Sequence, residues 1–209
     1  MINFDQLTTT DIANCLQQHA FTTTYDVPSE IATNSHKEAG VLVPFTQIAG
    51  AWHLVFIRRP HSPHDRHSGQ VAFAGGKREP DDTDLIHTAL REAEEEIGLA
   101  PHDVKLLGQL GTHHSISRYR ISPIVASIPW PYDFRLSPSE VARIFTIPLH
   151  WLAQPQHHEI RYHHIPNVQS PIPVVYFQEY DHEMLWGATA RMTLSLLNCL
   201  QYAVASHAT

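Results

Sequence analysis

The stretch Leu90–Leu99, LREAEEEIGL, places four glutamates within five positions and then stops at a glycine. Like charges at helical spacing repel by about 0.2–0.5 kcal/mol for each i,i+4 pair, so the crowding needs a reason. At about 100° per residue, Glu92, Glu95 and Glu96 stand at i, i+3 and i+4 on one face of a helix. Ile86, Ala89, Leu90, Ala93 and Ile97 form the adjoining apolar stripe, suited to a core, and Glu94 points to water. Three carboxylates held on a buried helix make a set of hard oxygen ligands. Such a set suits Mg²⁺ or Mn²⁺, ions that bind through carboxylates together with substrate phosphates. A solvated acidic face is the plainer reading of the glutamates alone. The flanks favour a site: Arg91 precedes the acids, Gly98 ends the helix, and Gly75-Gly76 lies upstream.

The elements that must position these residues can be read from pattern. LIHTALREAEEEIG is a helix that starts at Thr83 or Asp84 and stops at Gly98. Upstream, GVLVPFTQ and WHLVFIRR are β-rich runs separated by IAGA, which predicts a hairpin. PHSPHDRHSG reads as a loop, and QVAFAGG as a short strand ending in two glycines. VKLLGQLGT, RISPIVASI, EVARIFTIP and PVVYFQEY are further strands, LHWLAQ is a short helix, and TARMTLSLLNCLQYAVA a closing amphipathic helix. At the N-terminus, TDIANCLQQHA is a short helix capped by Thr10 or Asp11, followed by an extended arm. Strands interrupted by a few helices predict helices packed on a mixed sheet, with residues 1–38 as helix and arm and residues 39–209 as one domain.

The chain has 209 residues, enough to bury a sizeable core without staples. Lys plus Arg is 14 and Asp plus Glu is 21, a net charge of −7, which argues against a nucleic-acid binder. Its two cysteines, Cys15 and Cys199, lie far apart in sequence and form neither a metal pair nor a disulfide framework. No signal peptide and no apolar run of about 18 residues is present. The expectation is a cytoplasmic protein with no membrane partner.

With these residues in view, GG…REAEEEIGL resembles the Nudix box, G-x5-E-x7-R-E-U-x-E-E-x-G-U. Arg91, Glu92, Glu95, Glu96, Gly98 and Leu99 match position by position, with Ala93 small at the first U. Upstream the match shifts. Counted back from Arg91, the family's first glutamate falls at Thr83, and the loop from Gly76 is one residue longer than in the motif. Asp82 or Asp84 takes that place across a shifted gap. HSGQVAFAGGK (His67–Lys77) is similar to the segment preceding the box in the coenzyme A pyrophosphatase branch, although Ala74 stands where that branch usually has proline. SPSEVARIFTIPLHWL and WGATARM are also similar to that branch, so the likeness runs from about Val41 to about Met192.

The resemblance implies an α/β fold, the Nudix-type α/β/α sandwich with a central mixed β-sheet. It implies Mg²⁺- or Mn²⁺-dependent hydrolysis of coenzyme A or acyl-CoA to 3′,5′-ADP and an (acyl-)phosphopantetheine. Glu92, Glu95 and Glu96 would hold the metal, and Glu95, Glu96 or Glu140 would handle the water's proton. Arg91 would clamp the neighbouring carboxylates. Gly75 and Gly76 would let the backbone approach phosphate or metal, and Arg58, Arg59, Lys77, Arg78 and Arg118 could meet substrate phosphates. A homodimer is compatible with this reading. Another nucleotide such as ADP-ribose, or a non-catalytic nucleotide-binding module, are the rival functions. Among 17 histidines, the HHEIRYHH tract (His157–His164) reads as surface rather than zinc site, and THHSISRYR as the better place for substrate contacts.

Overall fold

The computed structural model describes residues 4–18, 28, 31–32, 36–61, 68–166 and 168–207. Most of the extended arm, the centre of the 60–69 loop and His67 lie outside the described residues. The helix α1 (Thr9–Gln18) leads into β1 (Lys37–Ile48) and β2 (Ala51–Arg58). Next come β3 (Val71–Ala72), β4 (Gly75–Lys77) and the acidic helix α2 (Leu85–Ile97). They are followed by β5 (Lys105–Gln109), β6 (His113–His114), β7 (Tyr119–Ser127) and β8 (Arg143–Pro148). The short α3 (Leu149–Leu152), the β9–β10 hairpin (His158–His163 and Ile172–Phe177) and α4 (Gly187–His207) complete the order.

The main sheet runs β3-β2-β1-β7-β5, with β4 on β1, β6 on β7 and β8 on β2. The β1–β7 pairing is parallel and the others antiparallel, so the sheet is mixed. Alternation along each strand divides the core in two. Val41, Val43 and Phe45 of β1, with Leu54 and Phe56 of β2, face the layer that holds α1 and α4. Leu42, Val55, Ile57, Ile124 and Ala126 face the opposite layer, where Ala89, Ala93 and Ile97 of α2 pack against them. The expected stripe of α2 is therefore the face that docks, with helices on both sides of the sheet.

Several local features differ from the sequence reading. The α1 cap is Thr8: its hydroxyl accepts from the Asp11 N–H at 3.2 Å, and Asp11 accepts in return from the Thr8 N–H at 2.8 Å. Asp11 thus serves as the reciprocal partner. The hairpin between β1 and β2 narrows to Ala49-Gly50, both at positive φ. QVAFAGG is two short strands, because Gly75 and Gly76 pair with Val41 and Gly40 instead of forming a free turn. Cys15 and Cys199 meet in the core, because α1 and α4 pack on the same sheet face; both are free thiols. Among the described residues no helix is long and apolar enough to cross a membrane.

Candidate active site

Helix α2 is fixed at both ends. The Asp84 side chain accepts from the His87 N–H at 2.8 Å, and Gly98 closes the helix at φ 67°, a left-handed conformation that favours glycine. Asp82, the other aspartate that could fill the shifted position, plays a different part. Its side chain is buried and receives Arg91 through Nε at 3.0 Å and Nη2 at 3.1 Å, the Glu79 N–H at 2.8 Å and the Thr88 hydroxyl at 2.9 Å. The paired guanidinium holds the Asp82 carboxyl well below the usual carboxylate range. Asp82 is the brace of the loop, and Asp84 is the helix cap.

From that brace Arg91 reaches the acid face. It pairs with Glu92 at 3.1 Å, donates to Glu95 at 3.0 Å, and donates to the Lys77 carbonyl at 3.2 Å. Glu95 is exposed on the Arg91 side. Glu96 turns inward, is 3% exposed, and accepts from the Gly75 N–H at 3.1 Å. Burial pushes its pKa up to about 8; the Gly75 N–H opposes this, the charges of Glu92 and Glu140 add to it, and Arg59 offsets part. Burial also raises Glu92, with Arg91 opposing. Gly76 packs so closely that any Cβ there would collide with the Glu92 carboxylate. Glu140 arrives on a loop anchored by the Ser137 N–H, which donates to the Glu96 carbonyl at 2.9 Å.

The expected cations separate. Strand alternation sends Arg58 to the far layer, where it pairs with the buried Glu183 at 3.6 Å beside Arg143; it does not join the acid face. Arg59, one residue on, acts electrostatically on Glu96. Arg78 donates to Glu38 at 3.0 Å and to the carbonyls of Asp82 and Thr83, so it ties down the longer loop. Arg120 shares Glu38 with it. Lys77 is exposed at the end of β4, and Arg118 sits at φ 68° in the exposed turn before β7. Glu38, the acid that joins Arg78 to Arg120, had no motif to announce it.

Among the described residues, no three His, Cys, Asp or Glu side chains converge closely enough to hold an ion. The histidine tract does not cluster: His158 lies tilted against the Phe177 ring at 5.4 Å, and His163 lies tilted against Tyr176. The acid face nevertheless fits a hard cation. Its donors are all carboxylate oxygens, and the buried Glu96 feels the charges of Glu92 and Glu140, offset only in part by the Gly75 N–H and Arg59.

The sequence model of the NUDIX domain matches residues 36–168. The chain belongs to the Nudix hydrolase family. Nudix hydrolases cleave diphosphate linkages in nucleotide substrates and use divalent cations. An uncharacterized Nudix hydrolase, NudL, from Yersinia pestis (strain Pestoides F) is 38% identical over 170 residues, covering 78% of this chain and 82% of that protein. NudL of Yersinia pseudotuberculosis serotype O:1b (strain IP 31758) matches to the same extent. A MutT/nudix family protein from Enterococcus faecalis superposes with a TM-score of 0.50 at 13% identity, over 92% of this chain and 69% of that one, a likeness of fold alone.

Proposed function

We propose that this Nudix hydrolase cleaves the diphosphate of coenzyme A or an acyl-CoA, releasing 3′,5′-ADP and an (acyl-)phosphopantetheine. The observation that carries the chemistry is the inward carboxylate of Glu96, held by the Gly75 N–H and pushed up to about 8 by burial, with the charges of Glu92 and Glu140 adding to it. Mg²⁺ or Mn²⁺, held by Glu92, Glu95 and Glu96, would neutralise the phosphates and acidify a bound water. Arg91, locked by Asp82, keeps Glu92 and Glu95 on one side of the helix. Glu140 lies on an exposed loop within the electrostatic reach of Glu92 and Glu96, which suits a carboxylate that orients water or accepts its proton. Gly76 lets the β4 backbone lie directly against the Glu92 carboxylate, and Gly75 packs on β1 while giving its N–H to Glu96.

The substrate assignment rests on HSGQVAFAGGK, SPSEVARIFTIPLHWL and WGATARM, segments similar to the coenzyme A branch. Coenzyme A adds a 3′-phosphate to the adenosine diphosphate that it shares with ADP-ribose. Arg59, which acts electrostatically on Glu96, and the exposed Lys77 and Arg118 are the cations we assign to substrate phosphates, while Arg58 meets Glu183 and Arg78 ties the loop. The domain is residues 39–209, with α1 packed onto it, and a homodimer and a cytoplasmic setting are compatible with the assignment. The test is a hydrolysis panel with Mg²⁺ and Mn²⁺ on CoA, acyl-CoA, dephospho-CoA, ADP-ribose and nucleoside triphosphates. CoA should exceed dephospho-CoA and ADP-ribose in kcat/KM by at least ~10-fold, as expected of one charge-assisted phosphate contact. Equal rates on all three would leave a Nudix diphosphatase and remove coenzyme A. Tight nucleotide binding without turnover would favour a binding module.

A further inference from the structure

Cys15 and Cys199 take no part in the diphosphate chemistry, yet the fold places them together. They are separated by 184 positions in sequence and by 2.7 Å between sulfurs, and the Cys15 thiol also donates to the Cys199 carbonyl at 2.8 Å. Cys15 lies on α1 and Cys199 on α4, among Leu16, Leu196 and Leu200 in the core layer away from the acid face. Two free thiols in contact, each on a different helix, are the arrangement that thiol–disulfide exchange needs to cross-link a fold. Neither thiol is exposed, so an oxidant reaches them only when a helix lifts. The ten-residue α1 is the element to lift, because it is about half the length of the 21-residue α4 and has less packed surface to release.

We propose that Cys15 and Cys199 form a redox-sensitive pair that a small-molecule disulfide of the glutathione type oxidises, stapling α1 to α4. One thiolate attacks the external disulfide, forms a mixed disulfide and expels one small thiol. The second thiolate then attacks the protein sulfur of the mixed disulfide and expels the other. Two protein thiols and one disulfide become one protein disulfide and two small thiols, so the reagent is reduced by the two electrons that the protein loses. The closed loop holds nearly the whole chain, which is where a cross-link restricts the unfolded state most.

The experiment exposes the full-length protein to graded ratios of oxidised to reduced glutathione, followed by intact mass, thiol titration and thermal unfolding. The expected product is a monomer lighter by two hydrogen atoms, with no titratable thiol and no glutathione attached. Its Tm should rise by about 5–15 °C, and dithiothreitol should reverse the rise. Cys15→Ala and Cys199→Ala should each lose the oxidative gain; two variants on different helices guard against one failing to fold. Two free thiols remaining even after refolding in the oxidant would overturn the proposal. So would one retained glutathione per chain, a cross-linked form that melts below the reduced protein, or an unchanged gain in either alanine variant.

Discussion

Replacing Asp82 by alanine removes one carboxylate and five polar contacts, those from both Arg91 nitrogens, the Glu79 N–H, the Thr88 hydroxyl and the His87 ring. Breaking a buried pair by deleting one partner costs about 3–5 kcal/mol, because the other charge is left uncompensated. Arg91 keeps Glu92 and Glu95 and is 19% exposed in its side chain, which places the loss near the low end, about 3 kcal/mol. For a chain of this size that lowers Tm by about 6–12 °C. Asp82→Asn keeps the shape and an acceptor for Arg91 but gives up the charge, and should lose about 1–2 kcal/mol. The pH dependence supplies a second signature. The folded pKa of Asp82 lies below its ordinary 3.8, so its contribution is full above that value and is lost as pH falls through the folded value. Urea melts of wild type and Asp82→Ala at pH 3 and pH 7 measure it: the difference between the two proteins should be larger at pH 7. An alanine variant within ~0.5 kcal/mol of wild type at pH 7, or one whose deficit grows in acid, would refute the brace.

Glu96→Gln should lower turnover by at least ~100-fold, read from steady-state rates with Mg²⁺. In metal-free buffer the same variant should lose a pH slope: the folded pKa of Glu96 is raised from 4.5 to about 8, so wild type is destabilised as pH rises through that interval and the glutamine variant is not. Arg58→Ala should lower Tm while leaving KM within about two-fold, since it removes a partner of the buried Glu183. Arg59→Ala should lower kcat/KM at least ~10-fold, and an Arg59→Ala variant with unchanged kcat/KM beside an impaired Arg58→Ala would exchange the two roles. Gly76→Ala should fold, yet lose activity as its methyl displaces the Glu92 carboxylate, a result checked by metal titration beside the thermal melt.

Much of this architecture was legible because it is written in local periodicity. The stripe Ala89–Ala93–Ile97, the Asp84 and Gly98 ends of α2, and the alternation of β1 and β2 each follow from a pattern within a dozen residues. What escaped was decided by distant partners. Asp82 and Asp84 are interchangeable in sequence, and only the position of Arg91 makes one a brace and the other a cap. The basic pair Arg58-Arg59 reads as one patch until strand geometry directs the two side chains to opposite layers. Thr8, Thr9 and Thr10 offer the same hydroxyl in sequence, and only the reciprocal bonds with Asp11 make Thr8 the cap in place of the expected Thr10 or Asp11. The meeting of Cys15 with Cys199 depends on packing across the whole chain, for which no short pattern exists.

The parallel pairing of β1 with β7 carries a consequence for how the chain assembles. Lys37–Phe45 lies beside Tyr119–Ser127 over nine residues, although Glu38 and Arg120 within that ladder are 82 positions apart. The β1–β2 hairpin closes through two residues and can form early, whereas the central ladder must await closure of a loop that contains the whole acidic helix. Until then the inner edge of β1, rich in Val, Leu and Phe, is an open template for a neighbouring chain in a concentrated refolding mixture. Slow maturation and a yield that falls with protein concentration are thus built into the order of the strands, independently of the chemistry that the finished sheet supports.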